Sequence, residues 1–133
     1  MKIKSIPFVL FCIILLCSFT FKKTLTGVWE YAGGIYNGKI KKQPEQYKLE
    51  RIYDDRHYRA VFMEDDEQPV TYEEGDYQLK KDSCFESQTY SRQPTQLTGI
   101  VMHYQYSIRN DTLTLSGTLP NGTTVKEYWK KIK

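Results

Sequence analysis

From Tyr47 to Ile132 the chain repeats one device: a short run of residues alternating in character with a period of two, closed by a turn signal. That period belongs to a strand, whose successive side chains point to opposite faces. Strands joined by tight turns are antiparallel neighbours. The clearest run is Gly99–Ile108: Ile100, Met102, Tyr104, Tyr106 and Ile108 fall on one face, Val101, His103, Gln105 and Ser107 on the other. Arg109-Asn110-Asp111 turns it into Thr112–Gly117, where Leu113 and Leu115 alternate with polar residues. Pro120-Asn121-Gly122 is a hairpin signal because Asn-Gly accepts positive φ, and Thr123–Ile132 follows it.

The earlier chain reads the same way. Leu25–Tyr31 opens the domain. Tyr47–Tyr53 and His57–Glu64 flank Asp54-Asp55, with Tyr58, Ala60 and Phe62 on one face. Val70–Glu73 and Asp76–Lys80 flank a turn predicted at Glu74-Gly75, and Cys84–Ser91 follows Lys81-Asp82. The stretch with Gly33-Gly34, Asn37-Gly38 and Pro44 reads as a loop, and Gln93–Thr98 with Pro94 as a longer connection. A meander of this kind leaves two exposed edges unless it closes on itself. The predicted fold class is therefore all-β: a single antiparallel up-and-down β-barrel of eight or nine strands, with a two-sheet sandwich as the alternative. All 11 tyrosines lie in this part of the chain, and aromatic side chains suit a pleated, half-buried surface.

The beginning of the chain is different. Lys2 and Lys4 precede an apolar run from Ile6 to Phe21, and Lys22 and Lys23 follow it. This is the layout of a secretory signal peptide. It predicts a signal helix over residues 1–20, cleavage before Phe21 with Ser18 and Thr20 as the small flanking residues, and a barrel domain over 21–133. The rivals are an uncleaved membrane anchor and a lipidated Cys17; Leu16 is larger than lipidation favours. The expected location is periplasmic or secreted, with membrane contact only through a leader that is retained or lipidated. With Cys12 and Cys17 in the leader, Cys84 stands alone in the barrel. It makes no internal disulfide and is expected to be an inert buried thiol. Of 19 Lys and Arg, two precede the apolar run, leaving 17 against 16 acidic residues in the rest, about +1. That balance argues against nucleic acid as a partner.

Leu25-Thr26-Gly27-Val28-Trp29-Glu30 resembles the Gly-x-Trp opening of lipocalins and their relatives. Glu127-Tyr128-Trp129-Lys130-Lys131-Ile132 resembles the closing strand of small bacterial exported lipocalin-like domains, a calycin-type family of largely unassigned function. Gly75-Asp76-Tyr77-Gln78-Leu79 and Asp111-Thr112-Leu113-Thr114-Leu115-Ser116-Gly117 resemble that family's middle hairpins. The resemblance implies a barrel whose floor is closed by Trp29, with Gly27 and Lys131 beside it. The Thr-Asp-Tyr motif of classical lipocalins is absent, and no particular ligand carries over.

The expected ligand-lining residues are Tyr58, Phe62, Met102, Tyr104 and Tyr106, with Glu127 and Trp129 from the last strand. Glu127, Trp129 and Lys131 share one face by alternation. Turned inward, they either orient a ligand's polar head, or Lys131 covers a tryptophan and pairs with Glu127. Tyr104 and Tyr106 line a cavity or fill a core, since small barrels are often filled by side chains. His57 and His103 lack metal-ligand spacing, so no metal site and no cofactor are expected. The carboxylate pairs, as in Glu64-Asp65-Asp66-Glu67, fall in turns, and no catalytic residue is proposed. Asp111-Thr112-Leu113 matches a bacterial O-glycosylation tripeptide, and Asn110 and Asn121 open N-glycosylation sequons at turns. The function expected is that of an exported, non-catalytic binding protein holding a small, mainly apolar molecule. The alternative is a protein-interaction or inhibitor module of the cell envelope with a solid barrel.

Overall fold

The structure, a computed structural model, describes residues 23–133. The leader, its cleavage position and Cys17 lie outside the described residues. Nine strands follow in order: β1 Gly27–Tyr36, β2 Lys39–Lys41, β3 Lys48–Tyr53, β4 His57–Met63, β5 Val70–Lys80, β6 Ser83–Ser91, β7 Val101–Arg109, β8 Thr112–Thr118 and β9 Thr124–Lys131. Every pairing is antiparallel, and β9 returns to pair with β1. Eight strands, β1 and β3–β9, thus form a closed up-and-down barrel, and β2 adds to the far half of β1. Closure satisfies the ladder of every barrel strand.

Two glycine signals read from the sequence as turns are not turns. β1 continues through Gly33-Gly34, with a register shift against β9 between Tyr31 and Gly34. The reversal comes later, at Asn37 (φ 49°) and Gly38 (φ 78°), which start β2. Gly33 has φ 104°, and a Cβ there would lie 2.8 Å from the Lys41 carbonyl oxygen, so only glycine fits. β5 likewise runs unbroken through Glu74-Gly75, with a register shift against β6. Gly75 makes room rather than a turn: a Cβ there would lie 2.5 Å from both the Ser87 carbonyl and the Tyr58 ring. Glycine inside a strand often marks such a close approach. The reversals at Asn110 (φ 49°) and Asp111 (φ 59°) follow the sequence reading.

The alternation predicted for β7 holds at its centre and fails at its ends. Met102 and Tyr104 are buried and Tyr106 partly so, whereas Ile100 and Ile108 are 36 % and 44 % exposed where the strand clears the barrel. The lower end, where β1 begins, is closed. Leu25 is fully buried across it, donating its N–H to Tyr77 Oη (3.0 Å) and accepting Trp29 Nε1–H (2.8 Å). Trp29 is therefore a floor residue. Lys131 Nζ lies 5.6 Å from the centre of its ring, and Lys131 Cε lies 3.0 Å from where a Gly27 Cβ would stand. Leu113, Leu115, Cys84, Tyr53 and Tyr77 complete the lower core. The β6–β7 connection lies at the opposite, upper end. Leu97 packs against the core from it, and Gln96 Oε1 accepts the N–H of Asn121 in the β8–β9 hairpin.

Candidate functional site: the upper barrel lumen

Alternation on β3 puts Leu49, Arg51 and Tyr53 on one face, and Arg51 and Tyr53 are buried. The same rule turns Cys84 and Glu86 of β6 inward, together with Glu73, Gly75 and Tyr77 of β5. Arg51 therefore reaches into the lumen. Its Nη1 donates to Glu86 Oε1 (2.7 Å) and to Tyr53 Oη (2.9 Å), and its Nη2 lies 3.8 Å from Glu73 Oε2. The guanidinium carbon stands 4.9 Å from the Tyr58 ring centre and 5.2 Å from that of Trp129. β3 is not a neighbour of β6 in the sheet, so the Arg51–Glu86 bond spans the lumen and plugs it midway.

Removing such charges from water is costly unless they are paired and hydrogen-bonded. Burial pushes the Glu86 carboxyl above the usual carboxylate range, against the pull of Arg51. The guanidinium itself is held charged by Glu86, Tyr53 and Glu73 despite its burial. Among the described residues, two buried side-chain atoms have no hydrogen-bond partner, Arg51 Nε and Gln88 Oε1.

Above the plug, Glu127 of β9 stands opposite Gly34 of β1. A Cβ at Gly34 would come within 3.1 Å of both Tyr31 Oη and the Tyr36 ring, so the missing side chain admits two aromatic ones. Glu127 Oε2 accepts Trp129 Nε1–H at 3.0 Å. The Tyr31 ring meets Trp129 edge-on with centroids 5.2 Å apart, and the Tyr31 and Tyr36 hydroxyls are hydrogen-bonded at 2.7 Å. Tyr36 and Tyr72 both have their phenols pushed up chiefly by burial, with the Glu127 charge adding to it. Burial likewise raises the Glu127 carboxyl; Arg51, the Trp129 N–H and, more weakly, Lys41 of β2 act the other way.

The residues expected to line a ligand separate into layers. Tyr58 and Trp129 sit at the Arg51 plug. Tyr104 is buried, its ring against Gly117, where a Cβ would lie 2.8 Å away. Met102 is buried toward the upper end and Tyr106 partly buried toward the lower. Phe62 stays at the rim, its ring tilted against that of Tyr47 with centroids 4.8 Å apart. One expectation fails. Lys131 does not pair with Glu127, because they stand four residues apart on the strand at different depths and Glu127 takes the Trp129 N–H instead. The strand carboxylates Glu73, Glu86 and Glu127 lie on the three strands expected for them, and the fold turns them into the lumen. Sequence reasoning missed Arg51, Glu73, Glu86, Gln88, Tyr36 and Tyr72. The signal for Arg51 and Glu86 was positional, since each stands two residues from a buried aromatic or thiol residue on its own strand, Tyr53 and Cys84; Glu73 has only Thr71 and Gly75 at that spacing. Cys84 is fully buried with its thiol pushed up by that burial, as an inert thiol should be. His57 pairs with Asp76, and His103 stacks on Phe85; all four lie on the outer wall.

A family described as a domain of unknown function, DUF4488, matches residues 24–133. No curated protein matches the chain.

Proposed function

The chain belongs to the DUF4488 family, and since that description assigns no activity we propose a function from the barrel alone: an exported, non-catalytic binding protein of lipocalin-like build that holds one small, mainly apolar molecule in the upper lumen. One observation carries this. Below the Arg51 plug Leu25, Trp29, Tyr53, Tyr77 and Cys84 are buried across the lumen, whereas above it, beside the buried Met102, Tyr36, Tyr72, Glu127 and Gln88 are only partly buried. Inward-facing aromatic rings with a few convergent polar groups are what small-molecule sites are made of. Tyrosine supplies ring surface and a hydroxyl that seeks a partner. The β6–β7 connection, with Leu97 on the core, covers such a molecule from above.

A protein-interaction module is the second reading, favoured by the plug itself, which leaves the middle of the barrel solid. Extraction of the natively purified, exported protein followed by mass spectrometry separates the two. The expected result is one small molecule per chain, and displacement of a bound apolar fluorescent dye by that extract. A bare polypeptide together with no dye binding would hand the case to the interaction module.

A further inference from the structure

Resting on that reading of the upper lumen, we infer that the molecule it holds carries a cationic amine head, seated against Glu127 within the rings of Tyr31, Tyr36, Tyr72 and Trp129. Charge comes first. Among the described residues three carboxylates face the lumen, Glu73 from β5, Glu86 from β6 and Glu127 from β9, against one guanidinium from β3. Arg51 is committed to the first two, at 3.8 and 2.7 Å. Glu127 has no salt-bridge partner within 4 Å among the described residues; its hydrogen-bond donor is neutral, the indole N–H of Trp129. The charges that reach it without bonding are that of Arg51, whose guanidinium is hydrogen-bonded to Glu86, and more weakly that of Lys41, an exposed side chain on β2.

The surroundings of Glu127 are the second, independent observation. Aromatic faces attract cations through their ring quadrupole, and rings grouped around one point are a recognised seat for substituted ammonium groups. This barrel already uses that chemistry one layer down, where the Arg51 guanidinium lies between Tyr58 and Trp129. Gln88 Oε1, buried and without a donor, adds an acceptor to the lumen, which suits a head that donates hydrogen bonds. A metal ion does not fit, because among the described residues no three His, Cys, Asp or Glu side chains come close enough to hold one. Depth agrees with entrance from the upper end: Tyr31 and Trp129 are buried at the back, and Tyr36, Tyr72 and Glu127 are partly open in front.

The test is a calorimetric titration of the barrel with decylamine, decanol and decanoate, each below its micelle concentration, repeated on E127Q. Decylamine is expected to bind roughly tenfold or more tighter than decanol, and decanoate weakest, from one ion pair and ring contacts in a part-buried site. E127Q is expected to bring the amine down to the level of the alcohol and leave the alcohol unchanged. Lowering the pH until Glu127 takes a proton should do the same. Equal binding of all three chains, or an amine preference that survives in E127Q, overturns the cationic head while keeping the binding protein. Binding of none of the three removes the small-molecule reading itself, and this inference with it.

Discussion

Replacing Arg51 by alanine is expected to destabilise the barrel by about 3–5 kcal/mol at neutral pH, because breaking a buried pair from one side leaves the other charge uncompensated. Among the described residues the guanidinium is the only cation that hydrogen-bonds Glu86; it neighbours Glu73, and its stem fills the middle of the lumen. The sign of the pH dependence follows from Glu86, whose folded-state carboxyl already lies above its ordinary value. Such a group weakens the fold at pH values above its folded pKa, and the penalty fades as pH falls through that pKa toward the unfolded one. Without Arg51 the Glu86 carboxyl rises further, so the deficit of Arg51→Ala should be largest above neutrality and shrink on acidification. Urea melts of wild type and variant at neutral and mildly acid pH check this. A triple replacement of Arg51, Glu73 and Glu86 by Met and Leu should recover most of the loss, since well-packed apolar residues commonly match a buried ion network. A constant deficit at both pH values would mean that Arg51 acts by packing alone.

Trp29→Ala carries the second large effect, also about 3–5 kcal/mol. Trp29 is 2 % exposed, anchors Leu25 through its indole N–H, and lies under Lys131. Truncation both opens a cavity and releases the segment that closes the lower end. Thermal unfolding measures the loss, and Trp29→Phe should restore most of the packing while still lacking the hydrogen bond to Leu25. A loss below about 1 kcal/mol would show that the floor is held elsewhere.

Much of the barrel was legible because its strands obey one period and its reversals use residues that tolerate positive φ, as at Asn110-Asp111. The failures share a cause. Gly75 and Gly34 carry the local signature of a turn but exist to admit the rings of Tyr58, Tyr31 and Tyr36, and those rings arrive from other strands or across a bulge. Nothing local to a glycine announces that. The same holds for the site. Trp129 and Glu127 were found by alternation on one strand. Arg51, Glu73 and Glu86 were not, because a charge on an alternating strand ordinarily marks the water side. Here the three partly satisfy one another across the lumen, and their partners lie on three different strands.

The most direct measurement on the upper lumen as a binding site is the stability of Glu127→Leu set beside its amine affinity. A carboxylate kept in a half-buried aromatic pocket without a cationic partner does little for the fold, so leucine should leave stability within about 1 kcal/mol of wild type: relief from burying the charge offsets the acceptor lost to Trp129. The expected result is an unchanged urea midpoint together with loss of the preference for decylamine over decanol. A variant that unfolds several kcal/mol more easily, yet still prefers the amine, would contradict it and make Glu127 a part of the core.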